Sequence, residues 1–514
     1  MNGADALIST LLANDVTACF ANPGTSEMQF VSALDRRPEM RPVLCLFEGV
    51  VTGAADGYGR MADKPACTLL HLGPGYGNGI ANLHNARRAY TPIVNVIGDH
   101  ATYHRAHDAP LNSDIESLAR PNSVWVKSAE TPGAVAGLTA EAIAASMGPP
   151  GGSASLILPA DAAWLETDSE PVIAQRRAWP MPSSDAVEAA ARAIREAKAP
   201  MILLGGRACR AEALAQAGRL STVGVRVMTD TFVPRQPRGA GSFAPGRMQY
   251  FAEAAMADLE GVDLMVLAGT ATPVAFFAYP NRPGVLVPEG CRTLTLADRG
   301  EDAAGALAAL ADALGAAATG PVQALQRPEG APIGPLTPQA AGASIGRHLP
   351  EGAIICDDSA TSGGGVASQT RGAAPHEVMA LTGGAIGQAI PLAVGVAVAA
   401  PDRKVVSLNG DGAAMYTVQG LWSLARENLD VTVVVFANNA YRILNIELQR
   451  TGAGQAGPAA RKLLELGDPR IDWVSLAKGM GVPAVRCETA EAFETAFAGA
   501  MRQRGPMFIE AVVP

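Results

Sequence analysis

The sequence predicts an α/β protein of three doubly wound domains, each a mostly parallel sheet flanked by helices. Three observations carry this. Short apolar or β-branched runs alternate along the chain with longer segments whose apolar residues recur at helical spacing, the pattern of βαβ units. At 514 residues the chain exceeds what one hydrophobic core serves and divides by ordinary domain size into about three. Two stretches rich in Pro, Glu166 to Ser184 and Gly320 to Pro338, fall where boundaries are needed. The expected domains are 1–170, 185–318 and 335–514.

In the first domain the helix Ala4 to Asn14 precedes a strand, Thr17 to Phe20. The turn Asn22-Pro23-Gly24-Thr25-Ser26-Glu27 then opens a second helix, with Thr25 or Ser26 as its N-cap. Val43 to Phe47 is a strand that delivers Glu48 to its end, and a helix follows through Gly53 to Arg60. Thr68 to Gly79 reads as a glycine-rich loop after a strand; its glycine spacing does not fit a dinucleotide fingerprint, which excludes NAD. The strand Ile93 to Ile97 runs into a polar loop, Gly98 to Asp108, where three of the chain's seven histidines (His100, His104, His107) sit within eight residues.

The middle domain reads as helix Ser184 to Glu196, strand Met201 to Leu204, helix Ala211 to Leu220, strand Val225 to Thr229, helix Met248 to Leu259, strands Asp263 to Ala268 and Arg292 to Ala297, and helix Ala303 to Leu314. Gly205-Gly206-Arg207 is read as a strand-to-helix turn. The last domain starts with helix Pro338 to His348 and strand Ala353 to Cys356, and ends with helix Trp473 to Met480, strand Ala484 to Arg486, helix Ala490 to Gln503 and strand Met507 to Val512. Met379 to Pro401 carries no charge, but Thr382-Gly383-Gly384, Gly387-Gln388 and Pro391 break it, so it is read as a loop and a buried helix rather than a membrane span.

Composition excludes several function classes. A net charge of −9 offers no basic footprint for nucleic acid or an anionic membrane. The seven cysteines lack CxxC spacing and lie mostly in apolar runs, so neither a disulfide framework nor a zinc site follows. With no basic segment and apolar stretch at its start, the chain is expected to be cytoplasmic.

Between Lys404 and Tyr441 lies the most informative unit. The strand Val405 to Leu408 stops at Asn409-Gly410-Asp411-Gly412, a helix is read over Ala414 to Arg426, and the strand Val431 to Phe436 ends at Asn438-Asn439. A right-handed crossover brings both strand ends to one carboxyl edge, where open α/β sheets bind ligands. Asp411 and an asparagine amide are hard oxygen donors suited to Mg²⁺, which takes its remaining ligands from water and phosphates. Backbone N–H groups around Gly412 and Ala413 add anion-binding donors.

Gly410-Asp411-Gly412, 25 intervening residues and Asn438-Asn439 resemble the signature of the thiamine diphosphate (ThDP) enzymes of the pyruvate decarboxylase, benzoylformate decarboxylase and acetolactate synthase family. The resemblance covers essentially the whole chain. It implies that Asp411, the Asn439 side chain and the Tyr441 carbonyl hold Mg²⁺, with Gly410, Gly412, Ala413 and Ala414 around the cofactor diphosphate. Ile386 takes the place of the bulky aliphatic residue that bends ThDP into a V. The segment FEGVVTGAADGYGR resembles the one whose glutamate, here Glu48, hydrogen-bonds N1′ of the aminopyrimidine and so promotes deprotonation of thiazolium C2; Phe47 stands where the family usually has histidine. Thr25 and Asn78 fall beside the cofactor, and His71 aligns with a histidine that benzoylformate decarboxylase uses for proton transfer.

The implied function is a ThDP- and Mg²⁺-dependent enzyme that decarboxylates a 2-oxo acid non-oxidatively, with carboligation to a second carbonyl as a further outcome. Expected substrate contacts are His71, the His100, His104 and His107 loop, Asn445 and Leu448. Asn445 is polar where benzoylformate decarboxylase and acetolactate synthase carry an aliphatic residue, and no counterpart of benzoylformate decarboxylase's middle-domain histidine appears in Thr272 to Tyr279. Two other readings stand beside this one: an acetolactate synthase-type carboligase, and an inactive ThDP-binding scaffold. A Mg²⁺-nucleotide protein is disfavoured, since no GxxxxGK[ST] loop occurs. The expected assembly is a homodimer with composite sites, paired into a tetramer, and in some relatives the middle domain also binds FAD or a nucleotide.

Overall fold

A computed structural model describes all 514 residues. Eighteen strands form three sheets. The first has the order β2-β1-β3-β4-β6-β5, from β1 (Ala18–Ala21), β2 (Arg41–Leu44), β3 (Ala66–Leu70), β4 (Ile93–Asp99), β5 (Trp125–Ser128) and β6 (Ser153–Pro159). The second runs β10-β8-β7-β11-β12, from β7 (Pro200–Leu204), β8 (Arg226–Thr229), β10 (Gly246–Arg247), β11 (Leu264–Ala268) and β12 (Arg292–Ala297). The third runs β17-β18-β16-β15-β13-β14-β9, from β9 (Gln236–Arg238), β13 (Ala353–Asp358), β14 (His376–Ala380), β15 (Val405–Gly410), β16 (Val431–Ala437), β17 (Ala484–Cys487) and β18 (Met507–Val512). Every pairing is parallel except β14 with β9. That strand comes from the middle of the sequence and joins the edge of the last sheet, a long-range exchange that local pattern does not reveal.

Central strands such as β4, β6 and β16 are buried along their whole length, as expected when helices cover both faces. The uncharged stretch after Met379 becomes the end of β14, a turn, and the helix Ala389–Ala399, buried from Ala389 through Val398. This helix packs on the Glu48–Ala62 helix at backbone distance: a Cβ at Gly395 would lie 1.7 Å from the Ala54 carbonyl oxygen, and one at Gly57 would lie 2.0 Å from that of Leu392. Glycine is required at both crossing points. No helix is long and apolar enough to cross a membrane.

The three sheets are tied at one buried junction. Arg60 and Asp56 form an ion pair at 2.6 Å with their side chains 1% and 0% exposed. The Arg60 guanidinium also donates to the carbonyls of Pro234 (3.3 Å) and Ala380 (2.9 Å) and to Thr382 Oγ1 (2.9 Å). Asp56 accepts from Gln388 Nε2 and Thr91 Oγ1, each at 2.6 Å. Full hydrogen bonding is what lets two charges remain buried; removing one partner of such a pair costs about 3–5 kcal/mol.

The structure differs from expectation in several elements: the strand expected over Val43 to Phe47 is Arg41–Leu44, so Glu48 does not end it but opens the following helix. The glycine-rich stretch from Gly73 to Gly79 is not a loop but the opening of a helix, Leu72–Ala89. The helix expected over Ala414 to Arg426 is two, Asp411–Tyr416 and Gly420–Arg426, broken where Thr417 Oγ1 donates to the Gly387 carbonyl at 2.8 Å. The helix expected from Met248 starts only at Ala252, because Gly246-Arg247 pairs with β8. Neither Thr25 nor Ser26 caps the turn Thr25–Glu27; Gly24 holds the cap position, and the Glu27 carboxylate reaches back to its N–H at 2.7 Å.

Candidate active site

Because the first sheet is parallel, the loops after β1, β2, β3 and β4 share its carboxyl edge. The turn after β1 places Glu27 there, 3% exposed. Its carboxylate accepts from the Gly24 N–H, from Ser26 Oγ at 2.5 Å and from His71 Nδ1 at 2.9 Å. A Cβ at Gly98, near the end of β4, would stand 1.8 Å from Glu27 Oε1, so glycine is needed to admit the carboxylate. His71 follows β3 immediately. A carboxylate only accepts, so His71 Nδ1 donates to Glu27, and Nε2 makes no hydrogen bond.

Glu48 opens the helix after β2 and is 7% exposed. Asn78, in the second turn of the Leu72–Ala89 helix, donates its side-chain amide to Glu48 Oε2 at 3.0 Å. Glu48 Oε1 and His71 Cβ both lie within 3.3 Å of the position a Gly75 Cβ would take, so glutamate and histidine flank the same backbone. The structure thus brings Glu48, Asn78 and His71 together and adds Glu27, which the sequence reading passed over. Thr25, beside them, is exposed and makes no side-chain hydrogen bond.

At the carboxyl edge of the third sheet, β15 ends at Gly410 and Asp411 begins the next helix, with Gly412, Ala413 and Ala414 completing its first turn, where N–H groups lack intrahelical acceptors. Asp411 Oδ1 accepts the Gly412 N–H at 2.8 Å and Oδ2 the Asn439 N–H at 2.6 Å. Burial pushes the Asp411 carboxyl above its usual range, against the opposing pull of those backbone N–H groups. A buried carboxylate so placed fits a cation. Asn439 holds a left-handed φ of 53°, and the Tyr441 ring lies over Gly412, where a Cβ would meet it at 2.2 Å. The Tyr441 carbonyl accepts the Leu444 N–H at 2.9 Å and retains a second lone pair. Asp411, Asn439 and Tyr441 therefore form one cluster whose donor set suits Mg²⁺.

A second carboxylate stands beside it. Asp358 ends β13, the neighbour of β15, and is 3% exposed. Its Oδ2 accepts the N–H groups of Gly387 and Gln388 at 2.7 and 2.9 Å, and Oδ1 has no partner. Burial, opposed by these donors, pushes its carboxyl up to about 7. These bonds fix the turn carrying Ile386. The pair Asp357-Asp358 directly after an apolar strand was the available sequence signal.

The histidine loop lies at the end of β4, next to the β3 end that carries His71. The rings of His100 and His104, and of His104 and His107, are 5.4 Å apart, and Arg105 anchors the loop to Asp99 at 2.8 Å and to Glu130 at 3.0 Å. No group of three His, Cys, Asp or Glu side chains is arranged to hold a metal ion. Asn445 and Leu448 sit half-buried on the helix Arg442–Arg450, directly after Tyr441. No residue of one edge hydrogen-bonds the functional carboxylates of the other: Glu27, Glu48 and His71 bond only within the first group, Asp411 and Asp358 only within the second. The chain carries two separate groups of polar side chains, one at the carboxyl edge of the first sheet and one at that of the third.

Comparison with known proteins agrees with both groups. Residues 1–118 match the thiamine pyrophosphate enzyme N-terminal TPP binding domain, and residues 364–511 match the C-terminal TPP binding domain. The chain is 52% identical over its whole length to 99% of a Mycobacterium tuberculosis protein named for an acetolactate synthase large subunit, IlvX. It is 28% identical to benzoylformate decarboxylase of Pseudomonas aeruginosa, covering 96% of each chain. Among solved structures it is similar to the Rhodococcus jostii thiamine diphosphate-dependent 4-hydroxybenzoylformate decarboxylase, with a TM-score of 0.87 at 25% identity over 100% of this chain and 99% of that one.

Proposed function

Because this chain belongs to the thiamine pyrophosphate enzyme family, we propose that it decarboxylates a 2-oxo acid non-oxidatively, using ThDP held through Mg²⁺. The observation that carries this reading is the pairing of buried Glu48 with the Asn78 amide at one sheet edge, alongside the Asp411–Asn439 cluster at another. Asp411, the Asn439 side chain and the Tyr441 carbonyl would hold the metal, with Gly410 and the first turn from Gly412 to Ala414 at the diphosphate. Thr25 and Ile386 would flank the cofactor rings. Bound ThDP would supply the nucleophilic carbon and the electron sink for loss of CO₂.

The chain's own residues do the rest. Glu48, with one oxygen fixed by Asn78, holds and returns a proton at the pyrimidine nitrogen; its burial excludes the water that would compete for it. Glu27 holds His71 so that Nε2 exchanges a proton with the reacting carbon. The loop from His100 to His107 rims the site, and Asn445 and Leu448 contact the substrate. Carboligation to a second carbonyl is the alternative outcome, favoured by the 52% identity to the relative named for an acetolactate synthase subunit.

The two groups are half-sites best completed between copies, in a cytoplasmic homodimer paired into a tetramer. Large apolar side chains are exposed near both: Met28 (48%) and Leu46 (46%) beside the first, Tyr416 (54%) and Leu444 (44%) beside the second. The deciding experiment measures CO₂ release from a panel of 2-oxo acids by ThDP- and Mg²⁺-loaded enzyme, with and without an aldehyde acceptor. Release without acceptor supports the decarboxylase; product formation only with acceptor supports the carboligase; neither overturns the proposal.

A further inference from the structure

In a doubly wound sheet a ligand seats outside the carboxyl ends of the strands, at the point where their order reverses. For β10-β8-β7-β11-β12 that point lies between β7 and β11. FAD or a nucleotide, which some relatives bind in the middle domain, would have to enter there. In this chain backbone shuts the entrance. A Cβ at Gly269, after β11, would lie 2.6 Å from the carbonyl oxygen of Gly205, after β7, and a Cβ at Gly205 would lie 3.1 Å from that of Gly269. The two turns touch where a pyrophosphate needs them apart. Their donors are also taken: the Gly205 N–H bonds the Ala268 carbonyl at 3.0 Å, the Asp230 N–H that of Leu204 at 2.9 Å, and the Gly269 N–H that of Ala297 at 2.9 Å.

Asp230, which follows β8, completes the closure. A Cβ at Gly205 would meet its Oδ2 at 2.3 Å, and Thr270 Oγ1, from the turn after β11, faces the two carboxylate oxygens at 2.7 and 3.0 Å. A fixed carboxylate thus stands where the phosphates of a dinucleotide would go. Burial pushes the Asp230 carboxyl up to about 6, against the pull of Thr270, Arg299 and Arg88, so at neutral pH it is charged and repels a phosphate. The helix whose N–H groups would face a pyrophosphate starts only at Ala211, beyond a 3₁₀ turn, Gly206–Cys209. The cation of that turn, Arg207, is directed elsewhere: its guanidinium lies 4.8 Å from the Trp179 ring and 3.6 Å from Asp63 of the first domain. A hollow of about 400 Å³ does remain between the ends of β11 and β12. Leu267 and Ala271 are its only apolar lining, the rest being three threonines, Asp298, Arg299 and Gly300, so it offers no apolar slot for an adenine or isoalloxazine ring.

We infer that the middle domain is a closed structural module that binds neither FAD nor an adenine nucleotide, its ligand crevice being filled by Asp230 and the Gly205–Gly269 contact, and that the enzyme works without flavin. The domain acts as a brace. It lends β9 to the edge of the third sheet and the Pro234 carbonyl to the buried Arg60. This inference rests on the geometry of the second sheet and is independent of which reaction the enzyme catalyses.

The test uses the full chain, loaded with ThDP and Mg²⁺, after expression in flavin-replete cells. Visible absorbance of the purified protein, and of the supernatant after acid precipitation, reads flavin carried through purification. Equilibrium dialysis and melting curves with added FAD or ADP read binding afterwards. Asp230→Asn, which keeps an oxygen for Thr270 and removes the charge, is run beside the parent. We expect no flavin in either protein, no retention of FAD or ADP, and unmoved melting temperatures, whereas a nucleotide supplied at about a hundredfold excess over its Kd would raise them by several degrees. Stoichiometric flavin or ADP on the parent overturns the inference. Binding gained only by Asp230→Asn overturns the closure by backbone, because charge alone would then have kept the ligand out. CO₂ release that needs added FAD also overturns it, and rates equal with and without FAD agree with it. Absence of CO₂ from every acid strikes the decarboxylase reading alone and leaves the binding measurements to decide this one.

Discussion

Asn78 donates to one oxygen of Glu48 at 3.0 Å while the other oxygen faces Gly75, so the carboxylate is held by one amide and left with one free face. A glutamine at position 48 keeps an oxygen for Asn78 but cannot shuttle a proton. Glu48→Gln should therefore bind ThDP with nearly parental affinity while C2 hydrogen–deuterium exchange slows roughly 10²- to 10⁴-fold. Exchange at the parental rate would remove Glu48 from the chemistry.

Glu27 fixes His71 from the Nδ1 side. Glu27→Gln can keep an oxygen at the Oε2 position, which serves both the Gly24 N–H and His71 Nδ1, so the informative change is Glu27→Ala, which removes that acceptor and leaves the ring without its fixed orientation. We expect kcat for CO₂ release to fall roughly 10- to 100-fold with ThDP affinity unchanged. Steady-state kinetics beside cofactor titration checks this, and an unaltered kcat would make the Glu27–His71 contact purely structural.

Asp411→Ala removes the one carboxylate that touches the Asn439 loop. Mg²⁺ and ThDP affinities should fall together, by at least the roughly 10- to 100-fold that follows loss of even an outer partner of a metal ligand. Calorimetric titration of ThDP at fixed Mg²⁺ measures it; an unchanged affinity places the metal elsewhere.

Asp358 gives a pH dependence. Burial holds its folded-state carboxyl near 7, well above the ordinary value of about 3.9, so the folded protein binds the extra proton more tightly than the unfolded chain. Stability from this group is fully present below about pH 4 and lost as pH rises through about 7. Asp358→Asn, which keeps an oxygen for the Gly387 and Gln388 N–H groups, should raise the melting temperature at pH 8 by about 1–3 °C and leave it unchanged or lower at pH 5. Equal shifts at both pH values would contradict the assignment.

If the half-sites are completed between copies, two inactive chains can rescue each other. Verified heterodimers of Glu48→Gln and Asp411→Ala should carry one site with both residues intact and about half the parental activity per dimer. Dead heterodimers, with active parent–mutant hybrids, would mean that each chain binds its own cofactor.

Much of this was legible in the sequence because it is local. The alternation of strand and helix patterns and the Gly410-Asp411-Gly412 and Asn438-Asn439 unit follow from short-range pattern, whereas Glu48, expected at the end of a strand, opens the next helix because that strand stops at Leu44. What escaped depended on packing. Gly73 to Gly79 reads as a loop because glycine is a poor helix former, yet the helix it opens is stabilised by tertiary contact that overrides propensity. Glu27 gave only the signal of an acidic residue in a turn; its burial against Gly98, two strands away in the sheet, is a long-range fact. The same holds for β9, whose partner lies more than a hundred residues away.

The Arg60–Asp56 junction bears on how the chain comes apart. One guanidinium donates to acceptors from three stretches of sequence that lie far apart along the chain. Because Asp56 lies one turn away on the same helix, releasing the Pro234 or Ala380 segment leaves the ion pair together but takes an acceptor from a buried guanidinium N–H, so each opening costs a charge-assisted hydrogen bond. The same few hydrogen bonds thus couple the opening of segments that lie far apart in the sequence.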